Sequence, residues 1–196
     1  MKISNITKKM GDFELSVKDM YIPLSAGSKI YGLAGENGSG KTTLMKIIAK
    51  VVEADSGEID YEGLIDSDIT MVFRRPYLMG DTVLNNLLYP LKIRKQKPDQ
   101  AKVEYFLETA SLQNMRNKYA PGLSGGQQQK LALIRAMIFN PKLVLIDESF
   151  SNLDKTSVEI FESFIKERSI QDKISFIICS HQESQIKNIC EKVFNL

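Results

Sequence analysis

Gly35-Glu36-Asn37-Gly38-Ser39-Gly40-Lys41-Thr42 is the segment that most narrows what this chain can become. It follows an apolar run at 29–34 (Lys-Ile-Tyr-Gly-Leu-Ala) that reads as a short buried strand. It opens an apolar-periodic helix from Lys41 to about Ala49. Strand, glycine turn and helix in that order are the context in which G-x-x-x-x-G-K-[ST] cradles phosphates. Glycines let backbone N–H groups turn inward, and the following helix offers its positive end to the anion. The pattern therefore expects Gly35 to Thr42, with Thr43 beside them, to hold the phosphates of ATP. Lys41 would reach the β- and γ-phosphates, and the Thr42 hydroxyl would ligate Mg2+.

The rest of the chain repeats the alternation. Residues 69–73 (Ile-Thr-Met-Val-Phe) form a second strand candidate. Pro98-Asp99 starts a helix in which Val103, Phe106, Leu107 and Ala110 fall at i, i+3, i+4 and i+7. A Pro-Gly break at 121–122 precedes a helix from about Gly126 to Phe139, which Asn140-Pro141 stops. A continuous apolar strand follows at 143–146. A helix with Val158, Phe161 and Ile165 inward then leads to a strand at 174–179. A last helix is expected to carry Ile186, Ile189, Cys190 and Val193 on one face. Buried apolar strands alternating with helices predict an α/β fold around a mostly parallel sheet. The stretch from about 76 to 125 lacks such strands and reads as a helical insertion into a core of about 1–75 and 126–196.

Leu143-Val144-Leu145-Ile146-Asp147-Glu148 is an apolar strand that ends in a pair of carboxylates. Neighbouring side chains on a strand point to opposite faces, so the two can divide the work. Asp147 is placed to bind Mg2+, and Glu148 to orient and deprotonate an attacking water. Acidic residues also end strands simply because the chain is meeting solvent. It is the phosphate loop upstream that favours the catalytic reading.

Composition sets bounds. At 196 residues and 43% apolar content the chain has enough material for one well-buried core. A net charge of +2 gives no basic field, and no nucleic-acid partner is expected. Cys179 and Cys190 lie in apolar settings and read as reduced core residues. The N-terminus lacks a signal-peptide core, and no apolar run reaches the roughly 18 residues of a membrane helix. A cytoplasmic protein is expected, touching a membrane only through partners.

Leu123-Ser124-Gly125-Gly126-Gln127 opens the helix that feeds the 143–148 strand. In isolation this pentapeptide would serve as a serine-glycine helix cap. With the other motifs in order, the chain resembles an ATP-binding cassette nucleotide-binding domain over essentially its whole length. The resemblance implies a P-loop core with N-terminal antiparallel strands and a helical subdomain. It implies head-to-tail homodimers in which Ser124, Gly125, Gly126 and Gln127 meet the partner's ATP. A helix of about 13 residues spans some 20 Å, so Ser124 lies far from the strand end within one chain. Ser151-Asn152-Leu153-Asp154 matches the family's D-loop, and His181 matches its switch histidine, which contacts the γ-phosphate and the attacking water. Transmembrane permease subunits, with an extracytoplasmic solute-binding protein acting through them, are the implied partners. Residues 76–93 are similar to the start of the insertion in importers, where the membrane subunit's coupling helix docks. The phrase from Asn86 to Ile93 is similar to tungstate and molybdate importers.

The sequence departs from the family pattern in three places. The family puts a glutamine that senses Mg2+ after the 69–73 strand, where this chain has Phe73-Arg74-Arg75. Arginine has only donors and cannot ligate a cation, so Arg74 is expected to approach phosphate or to point away. An aromatic that stacks on adenine is usual near the N-terminus, whereas spacing puts Met10 there, with Phe13 the nearest aromatic or else a core-facing strand residue. The chain also runs only about fifteen residues past His181, without the family's usual C-terminal extension, so no regulatory domain is expected. Two other readings stay open: a soluble ATPase of this type outside transport, and a weakly hydrolysing module that uses ATP to dimerise.

Overall fold

The computed structural model describes residues 1–24, 29–180 and 188–196. Strand β1 (Lys2–Met10) pairs antiparallel with β2 (Phe13–Val17) and β3 (Met20–Tyr21). Ile3 and Ile6 are both buried, although strict alternation would send them to opposite faces. A register shift between Ser4 and Thr7 resolves the conflict. There Asn5 has φ 48°, and Gly57 on the partner strand has φ 82°. This irregularity turns Ile6 back into the core. A Cβ on Gly57 would stand 2.4 Å from the carbonyl oxygens of Ser4 and Asn5, so the close approach needs glycine.

Strand β4 (Ile30–Ala34) runs into the glycine turn and then α1 (Lys41–Ile48). Next come β5 (Ser56–Asp60), which pairs with β1, and β6 (Ile69–Val72). Three helices follow: α2 (Val83–Ile93), α3 (Gln100–Thr109) and α4 (Gly125–Met137). Thr82 caps α2 and Asp99 caps α3, each accepting a backbone N–H three residues on. The chain continues through β7 (Leu143–Asp147), α5 (Lys155–Gln171), β8 (Ser175–Cys179) and β9 (Lys192–Asn195).

A parallel sheet forms in the order β6-β7-β8-β4-β9. Its central strands β7 and β8 are buried at every position, as their unbroken apolar runs require. Alternate residues face two separate cores. Val144, Ile146, Phe176 and Ile178 face the side holding α2, α3, α4 and α5. Leu143, Leu145, Ile177 and Cys179 face α1 and the antiparallel strands. On the first side Phe106 and Phe161 meet Phe164 edge-to-face, at centroid distances of 5.0 and 6.1 Å.

One expectation fails. Val193, assigned to a helical stripe with Ile189 and Cys190, lies in β9 opposite Gly32. Ile186 lies outside the described residues. Without β9, strand β4 would expose an edge of unpaired backbone groups, and β9 closes it, with Phe194 against Tyr31. Tertiary pairing overrides the helical spacing. Between 76 and 125 the described elements are helical, apart from an isolated bridge between Thr82 and Tyr119.

Candidate active site

The carboxyl ends of β4, β6 and β7 bring together residues far apart in the chain, as open parallel sheets do at their ligand edge. The turn after β4 carries Gly35, Gly38 and Gly40 at φ 152°, 83° and 97°, a conformation that side chains resist. At Gly40, which precedes α1, a Cβ would lie 2.5 Å from Leu15 Cδ1 and 3.1 Å from Phe13 Cζ. The loop residues Glu36 and Asn37 are exposed, and Ser39 N–H closes the turn onto Glu36 O at 3.2 Å.

Lys41 is buried, and its ammonium folds back to donate to the carbonyls of Gly35 at 2.8 Å and Glu36 at 2.7 Å. The Ser39 hydroxyl is buried with no hydrogen-bond partner among the described residues. An orphaned hydroxyl and a lysine resting on its own loop carbonyls suit a cradle built to receive an anion.

From the other side, Thr42 Oγ1 donates to Asp147 Oδ1 at 3.0 Å. Burial raises the Asp147 pKa above the usual carboxylate value and Glu148 raises it further, while the Thr42 hydrogen bond pulls it down. Asp147, Glu148 and Cys179 each bring a ligand-type atom within 4.8 Å of the other two. Burial, first of all, pushes the Cys179 thiol up to about 12, so with no metal bound it stays protonated. The remaining donors are oxygens, the set a hard divalent cation takes.

Glu148 is 8% exposed and adopts φ 48°, its N–H held by Cys179 O at 2.9 Å. It lines a cavity of about 430 Å3 together with Met10, Phe13, Lys41, Thr42 and Thr43. Met10 accepts a hydrogen bond from Thr43 at its sulfur, and Phe13 packs over Gly40 while still facing the cavity. Arg74 does not turn away from the site. Its Nη1 stands 3.0 Å from Glu148 Oε2 in an ion pair.

A family model described as ABC transporter matches residues 17–151. The chain belongs to the ABC transporter family. It is 32% identical over 198 residues to the tungstate uptake system ATP-binding protein TupC of Peptoclostridium acidaminophilum, covering 97% of this chain and 91% of that one. It is 30% identical over 203 residues to the sulfate/thiosulfate import ATP-binding protein CysA of Synechococcus elongatus, covering 98% of this chain but 58% of that protein. The chain thus spans little more than half of this sulfate relative. Among solved structures, the dimeric, post-hydrolysis ATP-binding cassette MJ0796 bound to ADP and Pi aligns over 100% of this chain and 93% of its own, with a TM-score of 0.83 and 26% identity. This chain is therefore an ATP-binding cassette ATPase with the P-loop fold.

In this ABC ATPase the pentapeptide at 123–127 stands apart from the cavity lining. Ser124 caps α4 in a reciprocal box: its hydroxyl accepts from Gln127 N–H at 3.3 Å, and Gln127 Oε1 accepts from Ser124 N–H at 3.0 Å. Gly125 is exposed, and a Cβ on Gly126 would lie 3.1 Å from Asn152 O. Asp154 caps α5, accepting from Ser157 N–H at 2.9 Å and Ser157 Oγ at 2.7 Å, and these bonds lower its pKa. His181 lies outside the described residues.

Two residues near the site were missed by sequence reasoning. Gln129 is fully buried on α4 and donates to Phe73 O at 3.3 Å, and Ser149 Oγ lies 3.2 Å from Asp147 O and 3.5 Å from Val72 O. Both tie down the end of β6. A buried glutamine inside an apolar helical stripe was the available signal for Gln129.

Proposed function

We propose that this ABC ATPase powers solute import through separate membrane subunits by binding and hydrolysing Mg-ATP in a homodimer. The observation that carries the reading is the meeting of Lys41, Thr42 and Glu148 around one cavity, with Asp147 hydrogen-bonded to Thr42. The backbone N–H groups of residues 35–43 and the Lys41 ammonium would hold the phosphates, the lysine exchanging its loop carbonyls for phosphate oxygens. Thr42 and Asp147 would hold Mg2+, which when bound neutralises charge on the β- and γ-phosphates. Glu148 would take the proton of a water as its oxygen bonds to the γ-phosphorus and the bond to the bridging oxygen of ADP breaks. His181 is assigned to the γ-phosphate and the water on sequence pattern alone.

Ser124, Gly125, Gly126, Gln127 and Asp154 are assigned to the nucleotide on a second copy, a reading supported by the dimeric cassette that this fold matches. Membrane subunits and an extracytoplasmic solute-binding protein are proposed from the uptake and import names of the relatives, with the chain seated on the inner face of the membrane. Among the described residues no helix is long and apolar enough to cross a membrane. A cavity of about 390 Å3 lined by Met71, Phe73, Tyr77, Tyr89, Ile93 and Phe139 is the surface that suits such a subunit. Buried Asn86 shapes its rim, binding Met79 N–H at 2.9 Å and accepting from Arg135 at 3.2 Å. An oxyanion is the favoured solute class, on the phrase from Asn86 to Ile93 and the tungstate relative.

Phosphate release from the purified chain with Mg-ATP, followed across a wide range of protein concentration, tests the reading. A specific rate that climbs with concentration is expected. A rate independent of concentration would remove the composite sites.

A further inference from the structure

Arg74 has only donors and cannot ligate a cation, yet it is not idle. The parallel register of β6 and β7 sets Val72 opposite Ile146. The chain then leaves both strands side by side, which carries Arg74 to Glu148. The backbone just before Arg74 is held on two sides, by Gln129 at Phe73 O and by Ser149 at Val72 O. The partners differ in setting: the Arg74 side chain is 60% exposed and that of Glu148 8%. An anchored but solvent-facing cation therefore rests on a buried carboxylate that lines the cavity with Lys41 and Thr42.

We propose that Arg74 is a positioning residue that restrains Glu148, occupying its carboxylate until the guanidinium is drawn off, so that its charge sets the rate at which bound ATP is hydrolysed. The inference rests on Glu148 being the general base. A carboxylate oxygen in ion-pair contact with a guanidinium is not open to an attacking water until that cation leaves. The cationic side chain also stands in the approach to that oxygen. Because the arginine end of the pair is wet, the restraint is modest and reversible, on the scale of a part-exposed ion pair. Incoming phosphate supplies a rival anion for the same guanidinium.

Turnover of Arg74→Gln, Arg74→Lys, Glu148→Gln and the double variant Arg74→Gln/Glu148→Gln, each across a range of Mg-ATP concentrations in excess over the protein, tests this. Arg74→Gln is expected to raise kcat roughly two- to fivefold while KM stays within about twofold. Arg74→Lys keeps the charge without the fork and is expected to lie closer to the parent than to Arg74→Gln. In the Glu148→Gln background Arg74→Gln should change nothing, because the group it acts through is gone. An unchanged or lower kcat in Arg74→Gln overturns the proposal, a lower one marking Arg74 as a stabiliser of the transferring phosphoryl group. Undiminished turnover in Glu148→Gln removes the base assignment itself. A rise in the double variant overturns the restraint by showing that Arg74 acts without Glu148.

Discussion

The Thr42 hydroxyl donates to Asp147 Oδ1 at 3.0 Å, joining residues 105 positions apart at the mouth of the phosphate loop. Burial already disfavours the charge on Asp147, so a bound divalent cation would relieve what the fold imposes. Asp147→Asn keeps the shape and removes the charge. The Mg2+-dependent part of ATP affinity is expected to fall at least about tenfold, with metal-free binding little changed. Calorimetric titration with and without Mg2+ separates the two, and an equal loss in both would count against a metal role for Asp147.

Glu148→Gln is expected to bind ATP with near-parent affinity and to turn over at least about a hundredfold more slowly, the lower end of general-base effects. Binding by fluorescent nucleotide and single-turnover hydrolysis measure the two halves of this statement. Parent-like hydrolysis would leave Glu148 without its role.

Gly40→Ala forces a side chain into φ 97° and sets its Cβ 2.5 Å from Leu15 Cδ1. A destabilisation of about 1–3 kcal/mol is expected, together with weaker nucleotide binding as the loop shifts. Thermal melting with and without ATP reports both. A melting point and affinity equal to the parent's would contradict the geometry.

Burial pushes the thiols of Cys179 and Cys190 up to about 12, against 9.0 for an ordinary thiol. Both should resist a disulfide reagent at pH 8 in the folded protein and react once urea unfolds it. Between pH 9.0 and about 12 the unfolded thiols release protons that the folded ones keep, so their contribution to stability falls as pH rises through that window. Urea midpoints at pH 8 and pH 10 should drop further in the parent than in Cys179→Val/Cys190→Val. Equal drops would place the effect elsewhere.

Much of this was legible because local and global signals agreed. The unbroken apolar run at 143–146 had to be a central strand, and Asp99 followed by the spacing of Val103, Phe106 and Leu107 had to be a helix. Strand β5 left little trace, since Ser56, Gly57 and Glu58 are exposed and its conformation is set by pairing with β1. Strand β9 was hidden for the same reason: a half-exposed edge strand shows no clean alternation, and the apolar residues before it happened to fit a helical period. Lys41, Thr42 and Asp147 could be named because their motifs are local. The partner of Arg74 could not, because it depends on how two strands align across more than seventy residues.

The hydroxyl of Ser124 has two lone pairs and one hydrogen. Capping α4 consumes a lone pair, the one that receives the Gln127 N–H. Among the described residues the hydrogen finds no acceptor, at the exposed N-terminus of a helix whose next residues are glycines. Holding the helix end and donating to an approaching anion thus draw on different halves of the same group, and the cap fixes the oxygen from which that hydrogen would be offered.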